Sequence, residues 1–252
     1  MARRSLIATA ALLLAASVFG QTPPGTQPST NKKLGARYNT TEVTPNILLP
    51  EALVATGPTV YLHETLNGTH MVMLVDLAIP QSSIDTTGPQ AAGLEDCRTT
   101  RLHWYQPNLT QTSNGTFVSN STPIATYGGP MPGLNDIAHT YTLYLFAQPA
   151  NFELPAWDAG RTYDPISVYA RMNFSVEAIA GVAGSPVAAN YFRVMDPSNN
   201  ATGTASNGTC PSNTTTTTSA TPVVIQTGLA SKMERSIKLA SGVVASAAFA
   251  ML

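Results

Sequence analysis

The stretch from His70 to Pro80, with the sequence HMVMLVDLAIP, decides the fold class of this chain. In a β-strand, successive side chains point to opposite faces of the sheet. Both alternating sets are apolar here: Met71, Met73 and Val75 on one face, Val72 and Leu74 on the other. A run that is apolar on both faces is typical of a strand with packed layers on both sides. The stretch therefore predicts a buried strand of a well-covered sheet.

Other runs rich in Val, Tyr, Leu, Met and Phe, bounded by Gly, Pro, Asn or Ser, also predict strands, so the chain is expected to be mainly β. The one good helix candidate is SVEAIAGVAG. In it Ser175 is a suitable N-cap, Glu177 favours the first turn and Gly184 can end the helix. The further strand runs are PTVYLHE (58–64), TRLHWYQ (100–106), HTYTLYLFAQ (139–148) and PVAANYFRVMD (186–196).

The beginning of the chain predicts a segment that is removed from the mature protein. Arg3 and Arg4 precede an apolar run that ends at a small residue, so residues 1–20 have the pattern of a secretory signal peptide. The run is shorter than the roughly 20 apolar residues that a spanning helix needs. Residues 21–37 are rich in Pro, Ser and Thr and predict a flexible lead. Residues 38–196 are left as one folded domain.

The end of the chain predicts attachment at the cell surface or cell wall. Residues 197–230 are rich in Ser, Thr and Asn, have little to bury, and predict a glycosylated stalk. Residues 231–252 combine a polar spacer with a short, small-residue apolar tail, the pattern of a GPI-attachment propeptide. An ordinary terminal amphipathic helix would explain the same residues. Secretion followed by anchoring is the expected localisation.

Sequons and cysteines agree with a secreted chain. Cys97 and Cys210 form an even pair, so one disulfide between them is expected, although two separate buried thiols are the alternative. Asn-x-Ser/Thr sequons are N-glycosylation acceptors. Asn108 and Asn173 lie in strand-like or helix-like sequence, which disfavours their use. The sequons expected to carry sugar are Asn39, Asn67, Asn114, Asn120, Asn200, Asn207 and Asn213.

Composition and motifs exclude several function classes. The formal net charge is −1 and the mature domain has no cluster of Lys or Arg, which argues against a nucleic-acid partner. The G-x-S-x-G elbow, the Walker loop, H-E-x-x-H and C-x-x-C do not occur. We therefore expect a binding protein without a cofactor, not an enzyme.

Polar side chains inside apolar runs are the candidates for a binding site. Asp76 ends the first strand, His103 lies within RLHWYQ and His139 opens HTYTLYLF. Tyr141 is two residues beyond His139 and hence on the same face of that strand. Each has a structural explanation, because a strand-terminal Asp often satisfies a turn and a single His often bonds a core carbonyl. Since buried Asp and His are costly unless paired, a site where strand ends converge would explain all three.

These segments, in this order, resemble the phosphatidylethanolamine-binding protein family. MVMLVDLAIP is similar to the family's aspartate- and proline-rich loop, with Asp76 at its first aspartate and Pro80 at its last proline. LHWYQPNL resembles the following strand, which carries a binding-site histidine, here His103. Leu77 and Ala78 replace the family's usual proline and second aspartate.

The resemblance continues through the next loop and strand. YGGPMPG is similar to the family's tyrosine-x-glycine-proline-x-proline loop, matched by Tyr127, Gly129, Pro130 and Pro132. IAHTYTLYLF resembles the glycine-x-histidine-arginine strand. His139 takes the place of its histidine, Tyr141 that of a pocket aromatic, and Thr140 replaces its arginine.

The resemblance implies a β-sandwich of antiparallel sheets with a short helix near the end of the domain. It also implies a pocket for anions such as phosphate or phospholipid head groups. Two imidazoles can donate to phosphate oxygens, more strongly when protonated, while Asp76 accepts from one of them. The expected ligand-binding residues are Asp76, Pro80, His103, Gly129, Pro130, Pro132, His139 and Tyr141.

Other functions stay open at this point. Some members of the family inhibit proteases, so inhibition of a serine carboxypeptidase or another extracellular protease is one alternative. A surface or cell-wall glycoprotein with a vestigial pocket is another, which the replacements at Ala78 and Thr140 favour. Two histidines and Asp76 could also form a facial triad for iron, although the resemblance places these residues in an anion pocket.

Overall fold

The computed structural model describes residues 21–80, 98–134, 136–156, 158–165 and 169–198. These residues form a mainly β fold with a short helix, which confirms the predicted fold class. The strands are β1 Gly35–Tyr38, β2 Thr41–Glu42, β3 Ile47–Leu49, β4 Thr59–Tyr61, β5 His70–Pro80, β6 Arg98–Gln111, β7 Phe117–Val118, β8 His139–Ala147 and β9 Ala188–Val194, and the helix α1 is Val176–Ala183.

The strands form two sheets. A three-stranded antiparallel sheet has the order β2-β1-β4, and a six-stranded sheet has the order β3-β9-β8-β5-β6-β7. Within the larger sheet, β5 pairs antiparallel with β6 on one side and with β8 on the other. The expectation of antiparallel sheets is wrong at β3, because β3 pairs parallel with β9.

The buried strand predicted from HMVMLVDLAIP is confirmed as β5, with its apolar residues 71–75 fully buried. Its Val72 and Leu74 face the three-stranded sheet, in a core shared with residues such as Ala36 and Val60. Its Met71, Met73 and Val75 face the opposite way, into a second core that includes Ile179 of α1. A strand covered on both faces holds its register firmly, because a one-residue slip would exchange the two cores.

The helix also forms where the sequence predicts it. The Ser175 side chain accepts a hydrogen bond from the Ala178 N–H at 3.1 Å, and Glu177 lies in the first turn. Gly184 follows the helix with a φ of 84°, a conformation that favours glycine. Val176 and Ile179 are the buried face of this helix.

Asn190 of β9 connects the larger sheet to the segments around β1. Its amide nitrogen donates to the Leu34 carbonyl at 2.9 Å and to the Val43 carbonyl at 3.0 Å, and the side chain is fully buried. Because Leu34 and Ala36 are also buried, the folded region starts before the predicted limit at residue 38. The predicted flexible lead at 21–37 is therefore wrong in its last residues.

Several predictions fall outside the described residues. They are the signal peptide at 1–20, Cys97, Cys210, the sequons at Asn200, Asn207 and Asn213, and nearly all of the stalk and the GPI-attachment propeptide. The sequon asparagines Asn39, Asn67, Asn114 and Asn120 are exposed, as are Asn108 in β6 and Asn173 before α1. The described part of the chain contains no helix with the length and hydrophobicity that crossing a membrane requires.

Candidate functional site

The pairing of β5 with β8 forms the centre of the candidate site. Asp76 lies within β5, opposite Tyr141 of β8; because β5 continues to Pro80, the expectation that Asp76 ends the strand is wrong. His139 is two residues before Tyr141 and opens the same strand, so its side chain points to the same face. The imidazole of His139 stacks against the Tyr141 ring, with 6.3 Å between the ring centroids. All three side chains are buried, as the sequence indicates.

A β-bulge brings His103 to the same face. In the pairing of β5 with β6, Leu74 lies opposite Trp104, but the next residue, Val75, lies opposite Leu102. His103 is thus the extra residue of a bulge, a feature that redirects side chains. Trp104 packs against the core between the sheets, and the His103 ring meets the edge of the Tyr141 ring at a centroid distance of 5.2 Å. Without the bulge, the regular alternation of side chains along β6 would point His103 into the second core, which includes Leu102 and Tyr105.

Asp76 is the central acceptor of the site. Its Oδ2 accepts from His139 Nδ1 at 2.8 Å, and its Oδ1 accepts from the Ala78 N–H at 2.8 Å. Burial and, next, the negative charge of this carboxylate raise the pKa of the Tyr141 hydroxyl. The predicted bond from an imidazole to Asp76 is confirmed, and Asp76 fixes the orientation of the His139 ring.

The second nitrogen of His139 contacts a carboxylate that the motifs did not select. His139 Nε2 is 2.8 Å from Asp136 Oδ2. A neutral imidazole carries one N–H and therefore cannot donate to two carboxylates, whereas an imidazolium can. Burial lowers the pKa of His139, but the hydrogen bonds and charges of Asp76 and Asp136 outweigh it and raise that pKa above 6.5. The geometry describes a charged histidine between two carboxylates.

Arg98 also contacts the Asp136 carboxylate. Its Nη1 lies 2.8 Å from Asp136 Oδ1 and 3.0 Å from Oδ2, and it also donates to the Ala78 carbonyl at 3.1 Å. The Ile137 N–H donates to Asp136 Oδ1 at 2.8 Å. Arg98 Nη1, His139 Nε2 and the Ile137 N–H thus converge on one carboxylate, and we call these three donors the oxyanion cradle.

His103 does not contribute the second donor that the sequence predicts. Its Nδ1 is 2.9 Å from the Gly128 carbonyl, so this nitrogen must carry the hydrogen. Burial lowers the pKa of His103 to about 4, more than the nearby charge of Asp76 raises it. At neutral pH its Nε2 therefore has a free lone pair. This buried nitrogen has no hydrogen-bond partner among the described residues and lies 3.9 Å from Asp76 Oδ2. The prediction that both imidazoles donate to the ligand is therefore wrong for His103.

The Gly- and Pro-rich loop before β8 gives shape to the site. A side chain on Gly129 would place its Cβ 3.1 Å from the Cα of Ala55, so the backbones pack directly together there. Pro130 and Pro132 are buried. Pro80 is partly exposed at the end of β5, opposite Arg98. Because proline has no N–H, Pro80, Pro130 and Pro132 offer the site no backbone donor.

The site has a salt bridge even though Ala78 and Thr140 replace the family's second aspartate and its arginine. The pair Arg98–Asp136 supplies one next to His139, from residues outside the compared motifs. No group of three or more His, Cys, Asp or Glu side chains among the described residues could hold a metal ion. The facial triad considered above therefore does not form within that part of the chain.

Arg171 donates hydrogen bonds to β6 and to the loop that leads into the site. Its side chain is 0% exposed, and its Nη1 donates to the carbonyls of Thr126 at 2.9 Å and His103 at 3.3 Å. Its Nε donates to the Tyr163 carbonyl, and its Nη2 pairs with Asp164. Arg171 thus fastens the bulge of β6 to the start of the Gly- and Pro-rich loop. The sequence carried no motif that would have identified it.

Comparisons with known proteins found a family model and two related sequences that match this chain. A family model described as "Phosphatidylethanolamine-binding protein" matches residues 39–192. A Talaromyces stipitatus protein named "Phomoidride biosynthesis cluster protein N" is 32% identical over 203 residues, which cover 72% of this chain and 93% of the relative. A protein of the same name from a further fungal species is 36% identical over 108 residues, or 40% of this chain and 48% of that relative.

Solved structures with a related fold include a carboxypeptidase Y inhibitor in complex with its cognate proteinase. That match has a TM-score of 0.47 and 15% identity, and covers 66% of this chain and 84% of the other. The phosphatidylethanolamine-binding protein from Plasmodium vivax has a TM-score of 0.47 and 15% identity, and the match covers 68% of this chain and 91% of the other.

Proposed function

Because the chain belongs to the phosphatidylethanolamine-binding protein family, we propose that it binds a small oxyanion, a phosphate or a phospholipid head group, in the oxyanion cradle. Arg98 and His139 are the charged donors, and the Ile137 N–H is the third. Asp76 orients His139 and keeps it charged without touching the anion. Binding, not catalysis, is the activity that we propose.

One observation carries this proposal: the cradle donors already hold an anionic group. Two cationic side chains and a backbone N–H converge on the Asp136 carboxylate at 2.8–3.0 Å. Hydrogen bonds between ionised partners are shorter and about twice as strong as neutral ones. A phosphate has the same negative oxygens as a carboxylate and more of them, so it can use the same donors.

A second feature of the site favours a head group that carries an ammonium. The lone pair of His103 Nε2 and the carboxylate of Asp76 lie next to each other and are both acceptors. A buried acceptor without a partner is costly, so a donor that reaches it gains binding energy. Phosphoethanolamine has an N–H donor for this place, whereas phosphocholine has none.

The test is a titration of the mature protein with phosphate, phosphoethanolamine and phosphocholine, followed by NMR of the histidine ring protons. We expect the His139 signals to shift with each ligand and phosphoethanolamine to bind most tightly. Arg98→Ala should weaken phosphate binding roughly tenfold or more, because it removes a charged donor. Arg37→Ala, which removes an exposed arginine of β1, is the matched control and should have no effect.

The pH dependence adds a second criterion to the same titration. The pKa of His139 is raised, so the ring stays charged from acid pH to above 6.5 and loses its proton only beyond its raised pKa. The contribution of His139 to phosphate binding should therefore be similar near pH 5.5 and near pH 6.5 and be lost at alkaline pH. If no ring proton moves with any ligand, the pocket is vestigial, and inhibition of a carboxypeptidase or another protease becomes the function to assay.

A small organic carboxylate is a second candidate ligand. The group that occupies the cradle in this structure is itself a carboxylate. The two relatives named above are called biosynthesis cluster proteins, which fits a small-molecule ligand. Acetate and succinate in the same titration separate the two ligand classes: tighter binding of either than of phosphate would favour the carboxylate.

We also propose that the protein acts outside the cell, anchored at its surface. This proposal rests on the sequence patterns of residues 1–20 and 231–252. Mass spectrometry of the protein isolated from its host should show that both segments are missing and that a glycolipid is attached. A full-length chain in the cytosol would contradict it.

A further inference from the structure

We propose that Asp136 is an internal competitor for the ligand: its carboxylate fills the oxyanion cradle in the free protein, and an external oxyanion binds by displacing it. This inference rests on the proposed function and adds to it how the site is kept closed and what opens it. The residue that sets the apparent affinity is then Asp136, although it makes no contact with the bound ligand.

The donors of the cradle cannot serve two anions at once. His139 Nε2 has one hydrogen, and that hydrogen points to Asp136 Oδ2 at 2.8 Å. The Nη1 of Arg98 spans both oxygens of the same carboxylate and also reaches the Ala78 carbonyl. A phosphate oxygen that used these hydrogens would have to take the place of a carboxylate oxygen.

Of the two carboxylates that contact His139, only Asp136 is placed to leave. Asp76 is 0% exposed, lies within β5 and is held by the Ala78 N–H as well as by His139. Asp136 retains 14% exposure and lies in the loop between Pro132 and β8. Moving it exposes a polar group to water, which costs far less than moving a buried strand residue.

The loop that carries Asp136 is loosely packed at its tip. Met131 is 79% exposed and Leu134 is 64% exposed, so neither apolar side chain fixes the loop to the core. Between these residues and β8, the backbone is held by a turn in which the Asp136 N–H donates to the Gly133 carbonyl at 3.1 Å. The loop can therefore shift at Asp136 without disturbing the buried prolines before it.

The charges of the site also favour the replacement of Asp136 by an incoming anion. With Asp136 in the cradle, the carboxylates of Asp76 and Asp136 balance His139 and Arg98. When Asp136 leaves, the charge of this group is positive and favours an incoming anion. The closed state keeps the buried cations neutralised while no ligand is present, which buried charges require. The closed state lowers the apparent affinity, because the intrinsic affinity is reduced by the fraction of time in which Asp136 is out of the cradle.

The experiment compares phosphate affinity in the full chain for wild type, Asp136→Ala and Asp136→Asn. We expect Asp136→Ala to bind inorganic phosphate roughly tenfold more tightly or better, since the competitor is gone. Asp136→Asn keeps the shape and removes the charge, so it should shift affinity in the same direction. Glu177→Gln, which removes an exposed charge on α1, is the matched control and should leave affinity unchanged.

Two outcomes overturn the inference, and they leave the proposed function standing. In one, wild type and Asp136→Ala bind phosphate equally well. In the other, the variant binds more weakly, which would make Asp136 part of the binding surface. If neither protein binds phosphate, the proposed function itself fails.

A measurement on wild type alone protects the test against a variant that folds poorly. Saturating phosphate should speed hydrogen exchange at the Asp136 amide, because the turn that holds it opens. The Ala78 amide, which donates to Asp76, should keep its exchange rate and serves as the internal control. Unchanged exchange at the Asp136 amide with phosphate bound contradicts displacement.

Discussion

Replacing Arg171 with methionine is expected to lower the free energy of unfolding by about 3–5 kcal/mol, the cost typical of removing one partner from a buried charged network. Arg171 is fully buried, and its guanidinium donates to the carbonyls of Tyr163, Thr126 and His103. Methionine fills a similar volume but has no donor. The buried Tyr163 carbonyl would lose its side-chain donor at a cost of about 1–3 kcal/mol, whereas the His103 carbonyl keeps its hydrogen bond from the Gly128 N–H.

Urea unfolding of wild type and Arg171→Met measures this effect. A loss of this size also lowers Tm by roughly 10 °C for a domain of this length. Arg171→Lys keeps the charge but not the planar set of donors, so it should recover only part of the loss. Arg37→Met removes an arginine that is 46% exposed and should change stability by about 0.5 kcal/mol or less.

The Arg171 variant also has a consequence for the site that a simple loss of packing would not have. Arg171 holds the His103 carbonyl at the bulge of β6 and the Thr126 carbonyl at the start of the loop. Chemical shifts of the His103 ring should therefore change more than those of His70, which lies at the other end of β5. Stability within 1 kcal/mol of wild type, or an undisturbed His103 ring, would show that Arg171 does not fasten the bulge.

Replacing Asp76 with alanine should have the second largest effect, on ligand binding and on stability together. His139 would lose the partner of its Nδ1, and the Ala78 N–H would lose its acceptor. We expect a loss of about 2–4 kcal/mol in unfolding free energy, because buried donors are left unpaired. Phosphate affinity should fall at least roughly tenfold, since His139 is no longer held in place or kept charged.

The stability loss from Asp76→Ala should depend on pH in a defined direction. The pKa of His139 is raised in the folded protein relative to the unfolded value of 6.5. The folded state thus binds the proton more tightly, and this contribution is fully present below about pH 6.5 and lost as the pH rises through the raised pKa. Without Asp76 the pKa of His139 falls, so the difference between the two proteins should be largest near pH 6 and smaller near pH 9.

Unfolding curves of both proteins at these two pH values test the assignment. Asp76→Asn is the companion variant, because it keeps the acceptor for Ala78 and removes the charge next to His139. It should retain more stability than Asp76→Ala while losing the same pH dependence. A difference between wild type and Asp76→Ala that grows from pH 6 to pH 9 would contradict the charged state of His139.

Most of the fold could be predicted from local patterns, because the strands and the helix carry their own signals. The double apolar pattern of residues 71–75 and the Ser175 cap each reflect a contact that the structure contains. Asp76, His139 and Tyr141 were predictable for the same reason, since strand periodicity alone places two of them on one face. Their convergence follows from the pairing of β5 with β8.

The donors of the cradle were harder to predict because they depend on register and on loop geometry. Arg98 reaches the site only because β6 begins at that residue, two positions before the predicted strand, and pairs with Pro80. The lone pair of His103 depends on a bulge, and a bulge leaves no signature in apolar periodicity. Asp136 did have a signal, since it precedes His139 by three residues, but a loop residue has no period to test.

The position of β9 in the larger sheet determines when the domain can fold during its synthesis. β9 is the last strand among the described residues, yet it lies between β3 and β8, and β3 joins the sheet through it. Until residues 188–194 have left the ribosome, β8 has an open edge and the segment before β1 lacks the Asn190 amide. Folding must therefore wait until nearly the whole domain has been made, and the open edge of β8 is in the meantime a place where nascent chains can pair with one another.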